Sequence, residues 1–490
     1  MTLTQRIKNA GLWQTLQIVV QAMVQFSYIA IMARLLTKAD FGLMALASGF
    51  IGLGTIFSEG GMGSSLIQRQ NITQKHMNAA LQGSLIIGFV IFIILFFSAH
   101  YIAIFFEQPS LESIIKIVGL NVILGSVNSI SIGLLQKQFK FKLTSNITIL
   151  ATIIGYALGV VLAFLNFGVW SLVAATMTIS FLSTVIMFYF APIKLSMKLH
   201  FKEWKELFSF GFGIILLKIN NYFSEQGLNL VLGKIFQPAQ LGVFERTYSV
   251  KTIPSSYIGN VLDTIMFPAM SEIQDEHERL FHTYQYSLGI VNSILMPIAV
   301  FLIFFSKEIV LILFGNKWLE AILPLQIMFV VLPFSSSGRM ADSVIRAKGL
   351  IYKNVIRKFL YVIILLITVP LGAYYNGLIG AAIGVTFSYL FNYLITLVLV
   401  KKIFNKKAKE IFFLPILSGL RLSVLVLFFA LIFSFFLRQF AFNAIIFFVV
   451  NTLIIGLAVG FIGWKKPTIL GVYLHDLLVM LFPKLKKRNF

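Results

Sequence analysis

The sequence predicts an all-α polytopic membrane protein of about 14 transmembrane helices. They form two six-helix lobes related by a parallel internal repeat, followed by two additional helices. Three observations carry the fold class. Of the 490 residues, 58% are hydrophobic and only 12% are charged, with a mean hydropathy of +0.90, whereas about 25% of the residues of a soluble globular chain are charged. Apolar windows of about twenty residues, the length that spans hydrocarbon, recur from one end of the chain to the other. The 40 lysines and arginines, which give a formal net charge of +22, gather in short connections between those windows. That distribution marks membrane topology and leaves nucleic-acid binding little support.

In chain order the windows fall at Leu12–Arg34, Phe41–Leu66, Ala79–Phe106, Leu111–Leu135, Leu143–Leu165 and Val169–Pro192. These six form the expected N-terminal lobe, residues 1–192. Arg6 and Lys8 precede the first window, but its length, its glutamines and its lack of a small-residue cleavage site make it a retained helix rather than a signal peptide. Residues 193–207 follow as a cytoplasmic amphipathic linker, KLSMKLHFKEWKE over Lys194–Glu206, of the kind that lies in a membrane interface. The second six-helix lobe, residues 208–400, holds windows at Phe208–Lys234, Leu241–Phe267, Phe281–Phe305, Trp318–Ile345, Val355–Gly372 and Leu378–Val400. Residues 401–463 add two more, Phe412–Leu437 and Ala441–Gly463, and residues 464–490 form a basic amphipathic tail suited to anionic lipid. With the N-terminus in the cytoplasm, about 28 of the 40 basic residues fall on that side, about 7 on the other and about 5 inside spans. Both termini are therefore expected to be cytoplasmic.

The stretch from Phe208 to Asp275 is unusual for hydrocarbon. It places Lys218, Glu225, Glu245, Arg246, Lys251 and Asp263 at membrane depth, where an ionised side chain costs several kcal/mol unless it faces protein or water. Lys218, Asn221, Glu225 and Asn229 share one sector of the first helix at about 100° per residue, and Glu245, Ser249, Thr252, Ser256 and Asp263 share one of the second. Two helices lining a polar cavity satisfy this pattern; ion pairs that merely hold helices together are the alternative. Gln14, Gln17, Gln21 and Gln25 form an amide stripe on the first helix that lipid would leave unsatisfied. The second window ends in SEGGMGSSLIQRQ, where Glu59 adds a carboxylate beside Gly60 and Gly61. In the tenth, Arg339, Asp342 and Arg346 recur at helical spacing, either as an intrahelical ion pair or as cavity groups.

The internal repeat rests on three matches in the same order. ARLLTKADFGLM at 33–44 aligns with GKIFQPAQLGVF at 233–244, sharing a basic residue (Arg34, Lys234) and a glycine (Gly42, Gly242). LLQKQFKF near Leu135 resembles VIRAKGLIYK near Ile345, and FGVWSLVAA at Phe167 resembles NGLIGAAIG at Asn376. Six spans separate the paired elements, an even number, so both halves run in the same direction, as in parallel-repeat transporters.

Several chemistries are excluded. The chain has no cysteine, so thiolate chemistry and disulfide frameworks are absent. His277 and His282 are five apart, not the four of HExxH, and neither a Walker A lysine motif nor GxSxG occurs. No cofactor or metal site is expected, and the short loops leave little room for the catalytic domain of a glycan polymerase or ligase.

ARLLTKADFGLMALASGFIGLGTIFSEGGMGSSLIQRQNIT, with NNYFSEQGLNLVLGKIFQPAQLGVFERTYSVKTIPSSYIGNVLDTIMFPAMSEIQDE in the second half, resembles the polysaccharide-exporter branch of the multidrug, oligosaccharidyl-lipid and polysaccharide exporter superfamily. The resemblance is to the colanic and teichuronic acid exporters. It implies a secondary transporter, not an enzyme, in the bacterial cytoplasmic membrane, flipping undecaprenyl-diphosphate-linked glycan repeat units by alternating access. Its implied partners are the lipid-linked glycan, membrane lipids and polysaccharide polymerase machinery. On that reading, Lys218, Arg246, Lys251 and Arg339 are the cations that meet a diphosphate. Glu59, Glu225, Asp263 and Asp342 balance those charges or bind a coupling H⁺ or Na⁺, and Gln14, Gln17, Gln21, Gln25 and Asn221 line the path. The resemblance leaves open a cation-coupled multidrug exporter, and a membrane glycan polymerase or ligase is the alternative of a different class.

Overall fold

The computed structural model describes residues 3–465 and Tyr473, except 192, 195, 197, 199, 408 and 441; side chains are described except at 3–12, 15, 209–214, 216, 217, 225, 255–265, 267, 268, 351, 412–415, 418 and 464. Among the described residues the fold is helical, without a strand. In order, the helices are α1 (Leu3–Leu35), α2 (Lys38–Glu59), α3 (Met62–Gln68), α4 (Gln74–Phe105), α5 (Ser110–Val118), α6 (Leu120–Lys137), α7 (Phe141–Phe164), α8 (Val169–Phe190) and α9 (Phe201–Glu225). They continue with α10 (Gly227–Leu232), α11 (Pro238–Glu272), α12 (His277–Phe304), α13 (Ser306–Leu313), α14 (Ile322–Phe329), α15 (Leu332–Ala347), α16 (Ile351–Phe404), α17 (Leu414–Leu437) and α18 (Ala444–Lys465). Among the described residues, ten segments are long and apolar enough to cross a membrane, or 11 if the pair 316–329 and 332–347, bent by 40°, counts as one span. α9 and α11 are not among them, and α11 alone carries Glu245, Arg246, Lys251, Asp263 and Glu272.

The chain divides into two compact units, Met1–Glu245 and Arg246–Phe490, with the boundary inside α11. In the first unit α1 packs on α7, α7 on α8, and α6 against α2, α4 and α8. α2 starts at a reciprocal cap: Thr37 Oγ1 accepts from the Asp40 amide at 3.2 Å, and the Thr37 amide donates to Asp40 Oδ2 at 2.9 Å. It ends where Gly60 and Gly61 take left-handed φ values of 57° and 64°, a conformation that favours glycine. Lys38–Gln68 is thus one span with a break just after Glu59.

A second close approach joins the starts of α2 and α11. A methyl group on Gly42 would run into the Pro238 carbonyl, and one on Gly242 would run into the Lys38 carbonyl. The contact is reciprocal at an offset of 200 residues. Tyr222 of α9 fits the glycine face of α2, its hydroxyl donating to the Gly49 carbonyl. The start of α9 is fastened by Glu206, whose Oε2 lies 2.8 Å from Arg69 Nη2 and 3.6 Å from His76 Nε2. Gln82 reinforces this, Nε2 donating to the carbonyls of Ser196 at 2.5 Å and Lys198 at 3.1 Å.

In the second unit, α12 packs along α17, and α15 packs against α12 and α16. The core here is Tyr284, Leu288, Met340, Val344, Val400 and Phe404, all with little or no exposure. Phe305, Phe301, Phe447 and Phe448 join α12 to α18 through packed rings. α16 is a hairpin rather than one rod. Asn376 and Gly377 leave helical φ/ψ, and beyond them the chain folds back so that Thr368 Oγ1 donates to the Gly384 carbonyl at 3.1 Å and lies 2.7 Å from Ser388 Oγ.

Two outcomes follow from these fastenings. Gly42→Ala and Gly242→Ala should each cost about 1–3 kcal/mol through forced backbone separation. Gly456→Ala, where a methyl group meets nothing within 4 Å, should be neutral or slightly stabilising; thermal midpoints of the three variants check this. The Arg69 hydrogen bond holds the Glu206 carboxyl below its ordinary value of 4.5, with His76 contributing less and partial burial opposing. A lowered carboxylate adds stability that is present above the ordinary value and lost as pH falls through the lowered one. Acid titration of the thermal midpoint should therefore show a drop below pH 4.5 that Glu206→Gln flattens.

Candidate functional site

The most completely built polar cluster lies in the second unit around Arg357. This side chain is 3% exposed, yet all five of its N–H donors find acceptors. Nη2 donates to Asp342 Oδ1 at 2.5 Å and Asn354 Oδ1 at 2.8 Å. Nη1 donates to Asn392 Oδ1 at 2.7 Å and Thr396 Oγ1 at 2.6 Å, and Nε to Asn354 Oδ1 at 3.1 Å. The guanidinium thereby ties α15 to both arms of the α16 hairpin. Lys358 Nζ stands 3.4 Å from the other oxygen of Asp342, so two cations surround one carboxylate.

Asp342 was expected among the charge-balancing residues, and its helix neighbours Arg339 and Arg346 suggested an intrahelical pair. The carboxylate meets Arg357 and Lys358, and Arg346 Nε donates to the Asp342 backbone carbonyl at 3.4 Å. Arg357 escaped the sequence reading because it sits in a basic segment, YKNVIRK, at the edge of a predicted span. A signal was present in the polar positions at helical spacing, Asn354 with Arg357 and Asn392 with Thr396.

In the first unit the structure brings together two predicted residues 159 positions apart. Lys218 of α9 makes an ion pair with Glu59 at the end of α2, the two side chains 37% and 22% exposed. The Gly60–Gly61 break positions this pair by ending α2 at Glu59, and Ser84 Oγ donates to the Glu59 carbonyl at 3.4 Å. Along α1, Gln17 Nε2 donates to Gln21 Oε1 at 3.2 Å. Gln14 is exposed and Gln25 partly buried. The stripe ends at Tyr28, which stacks on Tyr156 with ring centroids 3.9 Å apart.

Lys251 is buried, 1% exposed, and its ammonium lies 3.7 Å from the centroid of the Tyr389 ring and 4.9 Å from that of Tyr248. Tyr361 meets Tyr389 edge-on at 5.3 Å. Aromatic faces thus supply the negative potential for this cation. Arg246 and Arg339 are partly buried and Asn221 is exposed. The side chains of Glu225 and Asp263 lie outside the described residues. Among the described residues, no group of three or more His, Asp or Glu side chains converges as metal ligands.

Residues 31–323, more than half of the chain, match the family described as polysaccharide biosynthesis protein. The chain is similar to the lipopolysaccharide biosynthesis protein WzxC of Escherichia coli (strain K12), 25% identical over 405 residues and covering 81% of each chain. It is also similar to the teichuronic acid biosynthesis protein TuaB of Bacillus subtilis (strain 168), 21% identical over 359 residues that cover 71% of this chain and 72% of that one. Among solved structures, the lipid II flippase MurJ in an inward closed conformation matches with a TM-score of 0.69 at 17% identity, covering 98% of this chain and 99% of that one. An inward-facing multidrug resistance MATE family transporter of the MOP superfamily matches with a TM-score of 0.62 at 16% identity, covering 79% of this chain and 96% of that one. At these identities the structural likeness is one of fold.

The two ion pairs should respond differently to truncation. Arg357→Ala removes the nearer cation of Asp342 and leaves three other acceptor groups, on Asn354, Asn392 and Thr396, without their donor, and should cost about 3–5 kcal/mol. Lys218→Ala breaks a partly exposed pair and should cost about 1 kcal/mol or less. Thermal midpoints in detergent measure both; equal losses would contradict the difference in burial.

Proposed function

This chain belongs to the polysaccharide biosynthesis protein family, and we propose that it is a flippase for undecaprenyl-diphosphate-linked oligosaccharide or polysaccharide repeat units. It moves them across the bacterial cytoplasmic membrane by alternating access, supplying cell-surface polysaccharide synthesis. The observation that carries the reading is the Glu59–Lys218 pair. Lys218 is an intramembrane cation, 37% exposed and held by one carboxylate, so a diphosphate can take the place of Glu59 and form charge-assisted hydrogen bonds to the ammonium. Glu59, once displaced, is free to take up a coupling H⁺ or Na⁺. Arg246 and Arg339, both partly exposed, are the further contact cations. Lys251 is buried among tyrosines and Asp342 is already neutralised by Arg357 and Lys358, so we assign these two to charge balance within the second unit.

The topology we propose has 14 spans. It counts the α16 hairpin as two, the bent pair 316–347 as one, and adds α9 and α11, whose charged residues belong to the translocation path. Both termini are cytoplasmic on the lysine and arginine distribution. The reciprocal contact of Gly42 with Pro238 and Gly242 with Lys38 supports the internal repeat, because a two-fold relation exchanges residues in this way. The reading assigns no catalytic step; a polymerase working on the exported units is the expected functional partner.

The test is reconstitution in liposomes holding a fluorescent undecaprenyl-diphosphate oligosaccharide, with exposure to a membrane-impermeant reagent as the readout. Wild-type protein should accelerate exposure in a gradient-dependent manner. Lys218→Ala and Arg246→Ala should slow it at unchanged protein level by about 10-fold or more, the effect of about 1.4 kcal/mol. Exposure no faster than in protein-free liposomes would overturn the flippase reading and shift weight to drug export.

A further inference from the structure

A cleft in the first unit lies apart from the residues assigned to transport. It is formed by Ala79, Gly83, Ile86 and Ile87 of α4, with Phe201 and Trp204 of α9 opposite, and its lining is almost entirely carbon. Trp204 packs directly on α4 at Gly83, where a methyl group would collide with the indole. The cleft does not end in protein. On α4 it runs into a lengthwise strip of exposed apolar residues, Ile86, Phe89, Val90, Ile93 and Phe97, between 38% and 70% exposed. These positions repeat by threes and fours, as one face of a helix does.

At the opposite end, the cleft meets the basic linker. Gln82 holds the backbone of Ser196 and Lys198 beside the lining, and Lys202 and Lys205, both exposed, stand in the same helical turn as Phe201 and Trp204. Glu206 is taken by Arg69, and the exposed Lys198, Lys202 and Lys205 outnumber the remaining acidic neighbour, Glu203, at this end of the cleft. A carbon-lined cleft that continues into a lipid-facing strip and is capped by lysines has the polarity of a phospholipid, apolar tail at one end and anionic head at the other.

We propose that this cleft is a binding site for one anionic glycerophospholipid, its acyl chain in the cleft and along α4, its phosphate at Lys202 and Lys205. Selectivity comes from the lysines, each worth about 5-fold in preference for an anionic over a zwitterionic head, from about 1 kcal/mol per basic residue near an anionic lipid. Occupancy fastens the segment before α9 to α4, so the lipid acts on the stability of the unit that carries Lys218.

The experiment uses full-length protein in detergent with phosphatidylglycerol or phosphatidylcholine added, read by native mass spectrometry and by thermal midpoint. One phosphatidylglycerol should be retained in preference to phosphatidylcholine and should raise the midpoint. Lys202→Gln with Lys205→Gln should cut the preference by about 30-fold, the product of two such lysines, whereas Lys401→Gln with Lys402→Gln, equally exposed lysines elsewhere, should leave it intact. As a second readout independent of those variants, phosphatidylglycerol with a photoreactive acyl chain should label the peptide spanning 79–90 in wild-type protein. No preference in the wild type, equal loss in the two double variants, or labelling confined to other helices would each overturn the assignment.

Discussion

An ionised side chain inside hydrocarbon has neither water nor free counter-ion to draw on, so each one must be delivered together with the group that neutralises it. The architecture of both units follows from that constraint. Arg357 gathers one carboxylate, two amide oxygens and a hydroxyl, and in doing so dictates how α15 meets the two arms of α16. Glu59 and Lys218 supply each other across α2 and α9. Lys251 solves the same problem with aromatic faces. Where a cation is surrounded on every donor, as at Arg357, it is architecture. Where it keeps part of its surface open, as at Lys218, one side of the ammonium is left to its surroundings.

The membrane class was legible because hydropathy reports directly on the solvent that a helix faces. Charge in a twenty-residue apolar window is costly enough that its presence points to a partner, as Glu59 and Lys218 are to each other. Glu59 and Lys218 were each visible singly, but nothing in a linear pattern links positions 159 apart, so their pairing had to come from the fold. Arg357 shows the complementary failure. Read along the chain it is one more basic residue at a span's edge, and only the return of the hairpin, which brings Asn392 and Thr396 alongside, makes it a buried hub. The same applies to Lys251. Along the chain it was visible as one charge at membrane depth, but Tyr389 arrives from a helix 138 positions later and closes over it.

Small residues carry what charge cannot. At Gly42 and Gly242 two helix starts come into backbone contact, and at Gly60–Gly61 the chain passes through left-handed φ between α2 and α3. Both features set the position of Glu59, the first by fixing where α2 begins and the second by fixing where it stops. A carboxylate at a helix end, next to a bend, can move relative to its partner with less disturbance than one locked in mid-helix.

The Arg357 cluster has a further consequence for how the chain is made. Asp342 and Asn354 precede Arg357 in the sequence, and Asn392 and Thr396 follow it by 35 and 39 residues. A nascent chain emerging from the ribosome therefore presents the carboxylate before the guanidinium, and the remaining acceptors arrive with the next helix. Every partner comes from a stretch of about 55 residues, a local set that can close early in synthesis. The arginine can enter the bilayer beside a carboxylate already made on α15, with no interval in which it must wait in lipid for a distant segment to be translated.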